Sequence, residues 1–457
     1  MLYSQMQSNP LHMHARARFS GIRIVPAKAP SLYQECVKVF VAELARSEQQ
    51  DQQVAEMNFL PAKLLANIFE EMCEYPALSG VLRKLLCDPV LFMRVFTNQS
   101  LYVVGKCLRH ASSSSGKPIV PELTKNYCDM VRDEPLDSSS SAFMSRIQGA
   151  LKLGSFVYEA GWAASSVKVL KVVQSMISSV EDKQLRAKLE LDCIQRLLRA
   201  EASSVISKAG KTCDILLSLT TTVEDTNVLI KSYLQVAYYQ YRARQYEQCH
   251  EWTLKTMNLI TSSTPIDDII EVLQLEALFC FNKQRYDLGN MLISQAIQRA
   301  RSHYGTYHRG YAAVLQNYGL CLIKMNATSA AIPALMEALD VTVRHLGSQT
   351  PHVPMIESYI AYGLFRRSQS TGRFDMALDH IDRAIAATGQ MMLSGAKQTL
   401  DYLNAVRDLI RKGCDSARTA TKECKPAKAD SYDQFTFSEI REKYFELNES
   451  FEKEITA

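Results

Sequence analysis

Tyr286-Asp287-Leu288-Gly289-Asn290-Met291-Leu292-Ile293-Ser294-Gln295-Ala296-Ile297-Gln298-Arg299-Ala300 sets an aromatic residue three positions before a small one, then continues with Ile293 and Ala296 on the face that Gly289 begins. Tyr246-Glu247-Gln248-Cys249 opens a like segment that ends at Ile260, and Phe374-Asp375-Met376-Ala377 opens one that ends at Ile385. The junctions repeat too: Gly305, in His303-Tyr304-Gly305-Thr306-Tyr307-His308, and Gly347, in His345-Leu346-Gly347-Ser348-Gln349-Thr350-Pro351, stand 42 residues apart. A period of this size in a helix-turn-helix pattern predicts a solenoid of stacked helical hairpins, because one hairpin cannot bury its apolar face alone. Such a stack builds a long surface for other proteins.

Each segment has a first helix upstream. Val236-Ala237 precede Cys249, Thr253 and Thr256; Glu276-Ala277 precede Gly289, Ile293 and Ala296; Tyr318-Gly319 precede Ala331, Leu335 and Ala338; Tyr362-Gly363 precede Ala377, Ile381 and Ala384. Leu153-Gly154 and Trp162 stand in the same relation to Ser166, Leu170 and Val173. The second-helix anchors fall at 166, 249, 289, 331 and 377, and the first gap, 83 residues, spans two periods. A degenerate copy is therefore expected between them, with Ala209, Cys213 and Leu216 inward. Small residues at the anchors allow close helix crossing, and Gly319 is expected to face Ala331. The spacings of 40 to 46 residues exceed the 34 of the basic tetratricopeptide unit, as in the kinesin light chain class. The predicted fold is all-α: a right-handed superhelical solenoid of tetratricopeptide-like hairpins over residues 142–410, with a helical N-terminal docking module.

The remaining boundaries follow from local composition. Residues 1–30 read as a disordered basic tail, since Arg16, Arg18, Arg23 and Lys28 precede the first acid, Glu35. That bias is also the bias of a mitochondrial transit peptide, but the prolines and histidines weaken the amphipathic helix such a peptide needs. Residues 31–110 form the helical module. Its first helix carries Leu32, Cys36, Val39, Phe40 and Leu44 at helical spacing, and Leu60-Pro61 opens another with Leu64, Leu65, Ile68, Phe69 and Met72. Residues 111–141, with serine runs and prolines, read as a flexible loop or linker; 411–432 reads as a basic linker and 433–457 as a charged C-terminal helix.

With 47% hydrophobic and 22% charged residues, the chain has the composition of an ordered protein with a large core. A balance of 52 basic against 48 acidic residues gives +4, too even to imply a nucleic-acid track or a polybasic membrane anchor. Twelve cysteines occur singly, several on apolar helical faces, and predict buried reduced thiols in a cytoplasmic or nuclear setting. No apolar run reaches the length of a membrane span.

No catalytic constellation is present, so no enzymatic activity and no cofactor are predicted. Ser115-Gly116-Lys117 lacks the glycine and strand of a phosphate loop, and H-E-x-x-H, C-x-x-C, G-x-S-x-G and G-x-G-x-x-G are all missing. His12 and His14 lie in the tail and make no metal site; His303, His308 and His345 read as helix-end residues. First-helix polar residues are the candidate peptide-binding groove: Tyr241, Arg242, Gln274, Asn282, Gln316, Asn317, Lys324 and Arg367. Carboxamides both donate to and accept from a peptide backbone, and the cations suit acidic side chains or a terminal carboxylate.

Ala77-Leu78-x-x-x-Leu82-x-x-x-Leu86 has the form of the short helix by which substrate receptors dock on elongin C, with Leu82 where a cysteine is usual, and so makes Leu78, Leu82 and Leu86 the docking candidates. Leu60-Pro61-x-x-Leu64-Leu65-x-x-Ile68-Phe69 also looks like the start of an F-box, which docks on Skp1. The order Pro30-Ser31-Leu32-Tyr33, Leu60-Pro61, Ala160-Gly161-Trp162, Tyr246 to Ile260, Ala300 to Gly305 and Gly372 to Leu378 resembles the amyloid protein-binding protein 2 family. The resemblance implies tetratricopeptide repeats of the kinesin-light-chain kind and a substrate receptor of a cullin-2 RING ubiquitin ligase, recruited through elongins B and C, that captures client proteins by C-terminal degrons. It also implies association with microtubules and sorting of membrane-protein cytoplasmic tails. The chain departs from the family in its basic N-terminal tail, in its elongin-type helix without the cysteine, and in ending before several further repeats.

Overall fold

The computed structural model describes residues 31–47, 50–96, 101–113, 117–134, 137, 140–391 and 396–422, so the expected tail at 1–30 and helix at 433–457 lie outside the described residues. Among the described residues every regular element is helical. None of these helices is long and apolar enough to cross a membrane. The N-terminal part comprises α1 (Leu32–Arg46), α2 (Gln50–Glu56), α3 (Ala62–Met72), α4 (Ser79–Cys87), α5 (Pro89–Phe96), α6 (Leu101–Ser113) and α7 (Ile119–Asp133). Six hairpins follow: α8 (Ser141–Glu159) with α9 (Ala163–Ile177), α10 (Lys183–Ser204) with α11 (Ile206–Thr220), α12 (Thr226–Arg242) with α13 (Tyr246–Leu259), α14 (Ile266–Asn282) with α15 (Tyr286–Tyr304), α16 (Arg309–Lys324) with α17 (Thr328–Leu346), and α18 (His352–Thr371) with α19 (Asp375–Gln390). A long amphipathic helix, α20 (Ala396–Lys422), lays Leu403, Val406 and Ile410 against the last hairpin.

The turn inside the hairpin explains the period. Residues 161, 244, 284, 326 and 372 all adopt positive φ: Gly161 (91°), Arg244 (61°), Gln284 (59°), Asn326 (59°) and Gly372 (70°). At Arg244 its own amide bonds the Tyr241 carbonyl (3.1 Å) and the Gln245 amide bonds the Gln240 carbonyl (2.9 Å). The same pair of bonds recurs at Gly161, Gln284 and Asn326. This double bond to the last carbonyls of the first helix is the Schellman closure, and it fixes where the second helix begins. Asp182 and Asp225 start the first helices α10 and α12 by accepting two amide bonds each.

Packing across each hairpin is close where the sequence is small. A Cβ on Gly154 would overlap Leu170, and one on Gly319 would overlap Leu335. The expected partner of Gly319 is thus corrected from Ala331 to Leu335, because side chains lean toward the N-terminal end of their helix and cover the turn before their own Cα. The degenerate second copy is present as α11, with Ala209, Cys213 and Leu216 buried. First helices of successive hairpins touch one another from α10 through α12 and α14 to α16, so they form the inner face.

Two boundaries differ from the sequence reading. Residues 119–133 are a helix, not a loop: Pro118 and Pro121 occupy the cap and first turn, where a missing N–H costs nothing, and Ile119, Val120, Leu123 and Tyr127 are buried. One apolar core therefore runs from Val37 to Leu216 without a linker. Likewise α20 continues through residues 411–422, where a linker was expected; the rest of that segment lies outside the described residues.

The array also meets its own beginning. Helix α6 lies along α17 so closely that a Cβ on Gly105 would collide with the His345 backbone, and Gly347 sits against Arg109. The turn after α8 reaches the starts of α16 and α18: Arg309 pairs with Glu159, Thr350 Oγ1 donates to the Ala160 carbonyl (2.7 Å), and His352 Nε2 donates to the Glu159 carbonyl (3.0 Å). Burial holds His352 neutral, pushing its pKa down to about 4.

Two predictions test these contacts. A non-glycine residue in the left-handed region costs about 1 kcal/mol or more, so Gln284→Gly is expected to raise stability by about 0.5 to 1 kcal/mol in urea denaturation. Gly161→Ala should lower it. Gly105→Val should separate α6 from α17, seen as faster amide exchange in both helices with α12 to α15 unaffected; unchanged exchange would contradict the closure.

Candidate protein-binding site

The inner face carries a ladder of polar bonds between successive first helices. Gln195 Nε2 of α10 donates to Ser232 Oγ of α12 (2.8 Å), and Arg242 Nε of α12 reaches back to the Ala202 carbonyl (3.3 Å). Further along, Asn317 Nδ2 of α16 donates to Gln274 Oε1 of α14 (2.8 Å), and Lys324 Nζ donates to Asn282 Oδ1 (2.8 Å). Four of the predicted groove residues are thus brought together in two pairs, Gln274 with Asn317 and Asn282 with Lys324. Their polar atoms brace the helices as well as lining the surface. Asn282 Nδ2 is left buried without a hydrogen-bond partner. Gln316 is half-buried and Arg367 is exposed.

Tyr241 is a correction. It is 8% exposed and packs its ring against Tyr246 (5.8 Å between centroids) in the core between α12 and α13. One residue along a helix rotates a side chain by about 100°, so Tyr241 and Arg242 never shared a face.

Sequence reading missed the densest part of this surface. The Arg199 guanidinium lies over the rings of Tyr238 (4.6 Å) and Tyr158 (5.7 Å), donates to Gln235 Oε1 (3.1 Å) and pairs with Glu271 of α14. Ser203 and the two tyrosine hydroxyls bond one another at 2.8 to 3.3 Å. A bond from α10 to α14, two hairpins along, shows how tightly the inner face curves. No local pattern marks these residues, since they come together only through that curvature.

Glu271 also raises a neighbour. Burial, and then the Glu271 charge, push Asp268 up to about 6, against the pull of Lys231 and Arg199. Among the described residues no three His, Cys, Asp or Glu side chains gather to hold a metal ion.

The N-terminal docking candidates need correction as well. Leu78 (0%), Leu82 (0%) and Leu86 (1%) are fully enclosed in the core, as are Leu65, Ile68 and Phe69 of the F-box-like stretch. Neither pattern offers an apolar surface to elongin C or Skp1; each packs on its own module. The exposed apolar stripe is on α1. Its buried side is Val37, Val41 and Leu44, while Leu32 (82%), Cys36 and Val39 (54%) face outward. Ser31-Leu32-x-x-x-Cys36-x-x-x-Phe40 repeats the spacing sought at Ala77 to Leu86, with the cysteine in place. Ser31 and Gln34 cap this helix reciprocally, and Asn67 Nδ2 donates to Tyr33 Oη (2.9 Å), so the stripe is presented on a fixed helix.

No family model matches the chain. Over 267 residues the chain is 26% identical to amyloid protein-binding protein 2 of Rattus norvegicus and of Mus musculus, covering 54% of this chain and 43% of each relative. The matched stretch is thus less than half the length of those relatives. Among solved structures, BtubC (BKLC) from P. vanneervenii aligns at a TM-score of 0.37 and 13% identity, over 61% of this chain and 97% of its own. The STAND protein PH0952 from Pyrococcus horikoshii, with a tetratricopeptide repeat sensor, aligns at 0.39 and 10%, over 79% of this chain and 53% of its own.

Asp268 gives a test of the inner-face electrostatics. Its folded pKa lies above the ordinary 3.8, so the folded state keeps a proton that the unfolded chain has released between about pH 4 and 6. Stability from this group rises as pH falls through that window, and above pH 6 the buried charge is a net cost. Asp268→Asn should therefore stabilise the protein at pH 7.5 by on the order of 2 kcal/mol and have little effect near pH 4. A gain independent of pH would contradict the assignment.

Proposed function

We propose that this protein is a non-catalytic adaptor: the polar inner face of the hairpin array holds a segment of a client protein, and the outward stripe of α1 docks on a ubiquitin-ligase scaffold through elongin C. In the finer form carried by the family resemblance, the scaffold is elongins B and C with cullin-2, and the client segment is a C-terminal tail. The observation that carries the docking half is the exposed Leu32, Cys36 and Val39 stripe, the Leu-x-x-x-Cys spacing on a capped helix whose opposite side is already buried. The client half is supported by the name of the similar relatives, a protein-binding protein, and by the exposed Arg367 on the first helix of the last hairpin.

Burying a leucine of this exposure contributes about 1.5 to 3 kcal/mol, or roughly ten- to a hundredfold in affinity. Affinity purification of the full chain should therefore recover elongin C, elongin B and cullin-2. Leu32→Ser with Cys36→Ala should remove all three while leaving clients bound. Asn317→Ala with Arg367→Glu should do the reverse, losing clients while retaining elongin C. Wild-type complexes free of elongin C would remove the ligase reading; co-sedimentation with microtubules in its place would favour a transport adaptor.

A further inference from the structure

Eleven free cysteines are found among the described residues, and two of them touch. Cys73, at the C-terminal cap of α3, places its Sγ 3.8 Å from Cys107 Sγ on α6, across 34 residues of sequence. Their settings differ in a useful way. Cys107 is fully enclosed, whereas Cys73 is partly open to solvent and directs its thiol at the Phe69 carbonyl (3.3 Å) as well as at Cys107. The Lys106 ammonium, held by Glu74 (2.8 Å) and Glu70 (4.0 Å), lies close enough to Cys73 to interact with its charge. Cys87, Cys193, Cys213, Cys249 and Cys321 are buried, and burial pushes each of these thiols up.

We propose that Cys73 and Cys107 form a reversible intramolecular disulfide, a redox modification site whose co-substrate is a hydroperoxide. The Cys73 thiolate attacks the outer peroxide oxygen, giving Cys73 sulfenic acid and an alcohol or water. The Cys107 sulfur then attacks the sulfenic sulfur, the S–O bond breaks, and the hydroxide leaves as water with the Cys107 proton. Two thiols and one hydroperoxide thus become one disulfide, one alcohol and one water. Closing the bond requires the sulfurs to approach from 3.8 Å to about 2.05 Å. Cys107 stands two residues from Gly105, where α6 has no slack against α17, so the approach falls on the Cys73 cap of α3. The modification therefore ties α3 to the helix that closes the array.

The full chain, reduced and then treated with stoichiometric hydrogen peroxide, is digested under non-reducing conditions for mass spectrometry. A Cys73–Cys107 linked peptide is expected, lost on adding dithiothreitol and absent from Cys73→Ser and Cys107→Ser. In Cys107→Ser the sulfenic acid at Cys73 has no resolving thiol and should be captured by a 1,3-dione reagent. The oxidised wild type should also melt higher, by about 3 °C or more. Exposed Cys36 is the internal control for oxidant. Oxidation of Cys36 with Cys73 and Cys107 both recovered as free thiols, or Cys73 uncaptured in Cys107→Ser, would overturn the proposal.

Discussion

The close approach of α6 to α17 constrains everything inside the array. At Gly105 the two backbones are nearer than any side chain allows, and the contact is repeated one turn later where Arg109 covers Gly347. An open solenoid of this pitch would leave its first and last hairpins independent. Here the turn after α8 is bonded to the starts of α16 and α18, so the inner face is bounded at both ends by the same chain. The carbonyls of Glu159 and buried Ala160 receive donors from the far side of the array, which settles a requirement that α8 alone cannot meet.

Curvature on that scale decides how the inner face recognises anything. Polar side chains on neighbouring first helices come within bonding distance, and most spend their capacity on each other. A ligand that displaced Asn317 from Gln274 or Lys324 from Asn282 would replace one bond by another, for a net near zero against about 0.5 to 1.5 kcal/mol per bond. Selectivity for a segment held there therefore falls to exposed groups such as Arg367. Recognition of this kind favours an extended backbone, which supplies carbonyls and amides at regular intervals, over a folded surface that does not.

The repeats were legible because their cause is local. A small residue at the crossing and an apolar face at helical spacing each leave a mark, and the marks recur every 40 to 46 residues, whereas Arg244 and Gln284 show that the left-handed turn residue need leave none. The degenerate copy at Ala209, Cys213 and Leu216 was found from the gap alone. Closure left no such mark: Gly105 reads as an unremarked glycine in a helix, and Arg199 meets Glu271 only after 72 residues of superhelix. Helix α7 was hidden by its own punctuation, since prolines that end a helix from inside are harmless in its first turn. The exposed apolar face of α1 escaped the sequence reading for another reason. An amphipathic pattern says that one face is buried without saying against what, and α1 carries two apolar faces where Leu78 to Leu86 carries one.

That second face has a mechanical consequence. Had residues 111–141 been a flexible linker, a partner on α1 would be tethered to the array at an effective concentration set by chain length. Instead α7 packs on α9, and one apolar core joins Val37 to Leu216. A protein seated on Leu32 and Cys36 would be held at a fixed distance and angle from anything on the inner face. Reach is lost by that arrangement, and orientation is gained. An adaptor built this way presents a bound segment to a scaffold in one geometry, and so discriminates among clients by where their accessible groups fall as well as by how tightly their tails bind.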